Sequence, residues 1–151
     1  YNSAALAKLG FYEKKLNRPE KALIWFNKAL TVSSDFEWAR IQKIDLLLKT
    51  ENTEYAEIEL KNFLKLKPDS EWALQELSQL KFNQEQFADV EALLNKGLLK
   101  YKDSPGLLQI QGRLYKLQLR WQEAELVFQK LLKSIVWVYF LNTIERELGN
   151  Y

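Results

Sequence analysis

The chain has 151 residues, with 22 Lys and Arg against 20 Asp and Glu, and a net charge of +2 is too small to mark a nucleic-acid or acidic-membrane partner. It contains no histidine and no cysteine, which excludes disulfides and thiolate metal sites and removes the commonest metal ligand and general base. The longest apolar run, Ile135 to Leu141, is far short of the roughly 20 residues that cross a bilayer, so no direct membrane insertion is expected.

The elements follow one another at a fixed period. A first repeat, about 3–36, breaks internally near Leu16-Asn17-Arg18-Pro19, and its second helix carries Ala22, Phe26 and Ala29 on one face. A second, about 37–70, breaks between Lys49 and Thr53 and carries Ala56, Leu60 and Phe63. The third, about 71–104, breaks between Asn83 and Gln86 and carries Val90, Leu94 and Gly97. The fourth, about 105–134, breaks at Leu119-Arg120 and carries Ala124, Phe128 and Leu131. Each column recurs every 34 residues, a spacing that allows two helices of about 12 to 14 residues per repeat.

The punctuation keeps the same interval. Asp35, Asp69 and Asp103 lie in turn clusters with Ser33, Ser70 and Ser104, where Asp and Ser can accept from the unpaired N–H groups that open a helix. Small residues in the first helices (Gly10, Ser78, Gly112) let the second helix approach closely, and Phe26 and Phe128 fill the space between. No such pair buries its apolar face alone, so successive pairs must stack. Beyond Ser134, residues Trp137, Leu141, Ile144 and Leu148 make one helical face, which predicts a closing helix over about 136–148.

These columns resemble the tetratricopeptide repeat. Gly112, Tyr115, Ala124 and Phe128 carry the best match, and Leu9, Gly10, Ala22, Phe26 and Ala29 the next. The second copy departs from the pattern, with Arg40 and Lys43 where apolar residues are usual and Ile44 where a small one is, so its first helix is expected to be rotated or displaced. The resemblance implies an all-α fold, an αα-superhelix of four helix-turn-helix repeats plus the closing helix in a single domain. It also implies a non-catalytic scaffold that holds a partner protein or peptide in a concave groove lined by the first helices. Carried over position by position, the groove residues are Lys8, Phe11, Trp38, Gln42, Asp45, Trp72, Gln75, Glu76, Gln79, Phe82, Gln109, Arg113 and Lys116. Trp38 and Trp72, one per repeat beside a joint, are more often structural wedges packed on the preceding turn than ligand platforms. The family's lysine and asparagine clamp for the C-terminal carboxylates of heat-shock chaperones meets Ala7, Phe11, Gln42, Trp72 and Glu76 here, so that ligand is not expected.

The predicted closing helix carries Val136, Tyr139 and Phe140 off its main stripe, which suits either a wide buried face or a contact with a second chain, such as a homodimer. Lysine runs such as Lys14-Lys15 read as solvated faces. The carboxylates Glu54, Glu57, Glu59, Glu145 and Glu147 read as solubilising charges rather than acid/base pairs, and no cofactor or metal is expected. The alternative to a free-standing scaffold is an oligomerisation or regulatory module of a larger enzyme, secretion, envelope-biogenesis or signalling protein. A chain opening on Tyr1 reads as part of a longer protein. A cytoplasmic location is favoured, with the periplasm open if a signal lies outside this stretch.

Overall fold

The computed structural model describes residues 2–148, with side chains over 2–139. Eight α-helices account for nearly all of it: α1 Ser3–Lys15, α2 Pro19–Val32, α3 Glu37–Lys49, α4 Thr53–Leu66, α5 Glu71–Asn83, α6 Phe87–Lys100, α7 Pro105–Leu117 and α8 Trp121–Leu148. No strand occurs among the described residues. By internal packing the chain divides into two compact units, Tyr1–Pro68 and Asp69–Tyr151, each built from two helix pairs.

The first helix of every pair stops in the same way. Asn17, Glu51, Glu85 and Leu119, spaced 34 apart, adopt left-handed φ values of 56°, 57°, 59° and 59°. The N–H of the following residue then reaches back five positions, from Arg18 to Glu13 (2.9 Å), Asn52 to Leu47 (3.0 Å), Gln86 to Lys81 (3.0 Å) and Arg120 to Tyr115 (2.9 Å). This hydrogen-bonded C-terminal stop usually has glycine in the left-handed position. Here none of the four is glycine, and so the sequence carries the turn without its usual signal.

In the first unit the core gathers Leu6, Ala7, Ala22, Phe26, Ala29, Ala39 and Leu46. Gly10 lets α2 close on α1, because a Cβ there would lie 2.9 Å from the Phe26 ring and 3.2 Å from the Ala22 carbonyl oxygen. The departure in α3 is accommodated by charge pairing. Arg40 Nη1 donates to Glu59 Oε2 at 2.8 Å and Lys43 Nζ to Glu59 Oε1 at 2.7 Å, with the three side chains only 13%, 16% and 15% exposed. An ion triad thus fills the α3–α4 contact where apolar groups do so elsewhere.

In the second unit, Val90, Leu94, Leu107, Ile110 and Leu114 form the core with Phe82. Gly112 repeats the role of Gly10, since a Cβ there would meet the Phe128 ring at 2.7 Å. Ser78, fully buried at the equivalent position of α5, turns its hydroxyl back to the Leu74 carbonyl at 2.7 Å.

The joints need one correction. Ser70 and Ser104 do cap α5 and α7, accepting from the Ala73 and Leu107 N–H groups at 3.3 and 3.4 Å. The aspartates instead take other partners: Asp35 accepts from the Ser33 hydroxyl (2.7 Å), Asp69 pairs with Lys100 (3.0 Å) and Asp103 with Lys130 (3.4 Å). A second difference lies at the C-terminal end. No break separates residue 134 from 136, so the stretch expected as a closing helix is the continuation of α8, which runs 28 residues. Ser134 turns its hydroxyl back onto the Lys130 carbonyl (3.2 Å), and no residue there supplies a stop. The stripe positions Leu141, Ile144 and Leu148 have side chains outside the described residues.

Candidate partner-binding faces

In the first unit α1 and α3 lie side by side and bring Phe11, Trp38, Gln42 and Asp45 together. The Phe11 and Trp38 rings are 5.8 Å apart between centroids, and the Phe36 ring lies 6.2 Å from that of Trp38. Trp38 is therefore both wedge and surface, with 38% of it still exposed. Lys14 organises the polar half of the face, donating to Gln42 Oε1 at 2.8 Å and to Asp45 Oδ2 at 2.6 Å, while Lys49 reaches the same carboxylate at 3.1 Å. Partial burial acts to raise the Asp45 carboxyl, but the hydrogen bonds and charges of Lys14 and Lys49 outweigh it and hold its pKa below the ordinary carboxylate value. Lys14 is thus a positioning residue and not the solvated charge its Lys14-Lys15 run suggested. Beside this polar patch lies an open depression of about 420 Å³ lined by Ala4, Lys8, Phe11, Tyr12, Phe36 and Trp38.

In the second unit α5 and α7 pair off in the same manner. Arg113 donates to Gln79 Oε1 at 3.0 Å and lays its guanidinium 4.3 Å above the centre of the Phe82 ring. Gln79 in turn donates to Asn83 Oδ1 at 2.8 Å. Phe82 is only 8% exposed and packs edge-on against Phe87 at 5.8 Å, so it belongs to the core, with Arg113 as its lid. The Gln75 carboxamide lies against Gly106, where a Cβ would stand 1.8 Å from its oxygen, so that glycine makes room for the amide. Trp72 and Glu76 are half-buried, whereas Gln109 and Lys116 are exposed. On α8, Val136 and Tyr139 are 58% and 76% exposed, and the Phe140 side chain lies outside the described residues.

Sequence reading missed Lys14, Tyr12 and Phe36. The signal for Lys14 lay in its position one turn beyond Phe11 on α1, though only the approach of α3 gives it Asp45 as a partner. The pairing of Gln79 with Arg113 was legible in principle, because 34 residues separate them and they hold equivalent places in successive repeats.

No protein-family model and no curated protein sequence matches the chain. Solved structures do. A tetratricopeptide repeat protein from Parabacteroides merdae superposes over 88% of the chain with a TM-score of 0.78 at 21% identity. MamA from Desulfovibrio magneticus, residue 41 to its end, matches over 88% with a TM-score of 0.75 at 19% identity, and covers 75% of that chain. The pilF protein of Pseudomonas aeruginosa matches over 88% with a TM-score of 0.76 at 16% identity. The chain spans about half (52%) of the Parabacteroides protein and 61% of pilF. At these identities the likeness shows the fold: this is the tetratricopeptide-repeat fold, all-α and of the αα-superhelix class.

Proposed function

We propose that the chain is a non-catalytic protein-interaction scaffold that holds a partner peptide or helix on the faces formed by its first helices. The observation that carries this reading is the α1–α3 face, where exposed aromatic surface adjoins amide and carboxylate groups already fixed by Lys14. Side chains locked before binding lose little entropy on contact, and aromatic area next to oriented amides suits a peptide backbone and its anchors. The α5–α7 face offers oriented polar groups without the exposed aromatic surface, through Gln79, Arg113 and the exposed Gln109 and Lys116. Binding without chemistry is further supported by the absence of histidine and cysteine from the sequence. Two of the carboxylates that tempt an acid/base reading are also engaged elsewhere, Glu57 with Lys61 at 2.6 Å and Glu59 in its triad. The test is to capture a partner with the intact chain, identify it by mass spectrometry, and remeasure affinity with Trp38→Ala, Gln42→Ala and Arg113→Ala. Losses of tenfold or more are expected from at least one face, and unchanged affinity in all three removes the reading.

A second reading, self-association, is favoured by one observation: Leu132, Ile135, Val136 and Val138 of α8 are each more than half exposed. Light scattering over a concentration series decides it. A dimer that Val136→Lys dissolves supports pairing through α8, and a strict monomer at high concentration removes it.

A further inference from the structure

The depression on α1 and α3 has a chemical preference that its aromatic lining alone does not give. Phenyl, phenol and indole walls of this kind hold either a large apolar side chain or an organic cation, because the faces of aromatic rings attract positive charge. The charges around the depression separate the two. On α1, Ala4, Lys8, Phe11 and Lys15 are spaced by four, three and four residues and so form one strip, with an ammonium group one turn before Phe11 and another one turn after it. Lys8 lines the depression, and Lys15 Nζ already stands 5.3 Å from the Phe11 ring centre.

Among the described residues neither lysine has a carboxylate partner, and of the other charges nearby only Asp35, beside Phe36, is bonded to a hydroxyl instead of a cation. Lys14 and Lys49 share Asp45, and Arg18 takes Glu13 at 3.5 Å. Four ammonium groups, Lys8, Lys14, Lys15 and Lys49, therefore stand against the carboxylates of Asp45 and Asp35, a local surplus of two. A cationic ligand would meet that surplus at close range. An anionic one would find two unmatched ammonium groups on side chains rooted about 10 Å apart along α1, given a rise of 1.5 Å per helical residue over seven residues.

Resting on the binding-face reading above, we infer that this depression receives a large apolar side chain of a partner segment with carboxylates on both sides of it. The anchor fills the depression over the Phe11, Tyr12, Phe36 and Trp38 side chains, while the flanking acids meet Lys8 and Lys15. A volume of about 420 Å³ accommodates one or two large side chains and no folded element, so the recognised unit is a short linear stretch. Selectivity comes from the pair of lysines and affinity from the aromatic contact, as at other interfaces with an apolar centre and a charged rim.

The experiment uses the whole chain and three fluorescein-labelled, capped nonapeptides read by anisotropy. One has a central leucine with two glutamates on each side, the second has lysines in place of the glutamates, and the third has serine in place of the leucine. The acidic leucine peptide should bind, at least tenfold more tightly than either of the others. Lys8→Gln combined with Lys15→Gln should weaken it about tenfold and flatten its salt dependence, with the helical circular dichroism unchanged because both side chains are exposed. Trp38→Ala should weaken it as well. Preferential binding of the lysine peptide, sensitive to Trp38→Ala, overturns the acidic assignment and leaves the binding face standing. No binding of any peptide overturns the inference alone if a captured partner still depends on Trp38 and Gln42. It overturns the face reading too if that dependence is also missing.

Discussion

Replacing Glu59 by alanine isolates what the triad in the first unit contributes. The substitution removes the shared partner of Arg40 and Lys43, two cations that are 13% and 16% exposed and bonded to it at 2.8 and 2.7 Å. Arg40 keeps a second acceptor, the Ser34 carbonyl at 2.7 Å, whereas Lys43 keeps none among the described residues. Breaking a buried pair from one side costs roughly 3–5 kcal/mol, and because both cations retain a path to water the lower end, about 3 kcal/mol, is expected. Replacing all three together with Leu, Met and Leu removes the desolvation penalty along with the attraction, and such exchanges are neutral or stabilising by roughly 1–4 kcal/mol. Urea unfolding followed by circular dichroism gives the totals. Hydrogen exchange at the α3 and α4 amides assigns the loss to the first unit, which matters because the units need not unfold together. A cost below about 1 kcal/mol for Glu59→Ala would mean that the triad behaves as an exposed ion pair. A triple variant as unstable as the single one would equally refute the reasoning.

Other consequences can be read by the same methods. Leu119 is 70% exposed and holds φ at 59°, so Leu119→Gly should stabilise the second unit by about 1 kcal/mol and raise its melting temperature, while Leu119→Val should lower it. Gly10→Ala should destabilise by about 1–3 kcal/mol, because the new Cβ meets both the fully buried Phe26 ring and a backbone carbonyl. Gly112→Ala should cost less, since half-buried Phe128 has room to shift, and equal costs in denaturant melts would contradict that difference. Asp45 has a folded pKa below its unfolded value near 3.9. Its pairing therefore contributes stability that is present above that value and lost as pH falls through the folded pKa. Asp45→Asn should remove this acid-limb dependence from a stability profile below about pH 4, and an unchanged profile would show that Lys14 does not govern the carboxylate.

The 34-residue interval, the buried columns and the approximate lengths of α1 to α7 were legible in the sequence, because they depend on periodicities that a helix imposes on any chain. Ala22, Leu60, Val90 and Leu94, all nearly or wholly buried, needed only their spacing to be placed. Residues whose role depends on a neighbour from another helix were not legible. Lys14 looked like part of a solvated run until α3 supplied Gln42 and Asp45, and Arg40 and Lys43 looked like a flaw until α4 supplied Glu59. Phe82, expected on a binding face, is held in the core by Phe87 and covered by Arg113. The breaks at Glu51, Glu85 and Leu119 were expected from the sequence, but not their left-handed conformation, because a non-glycine residue gives no local sign of positive φ. Pattern fixes which side of a helix turns inward, since that follows from the order of apolar and polar residues along one chain. Pairing of charges, the lid over an aromatic ring and the recess between two helices depend on distances between segments far apart in sequence, and those are set only when the helices pack.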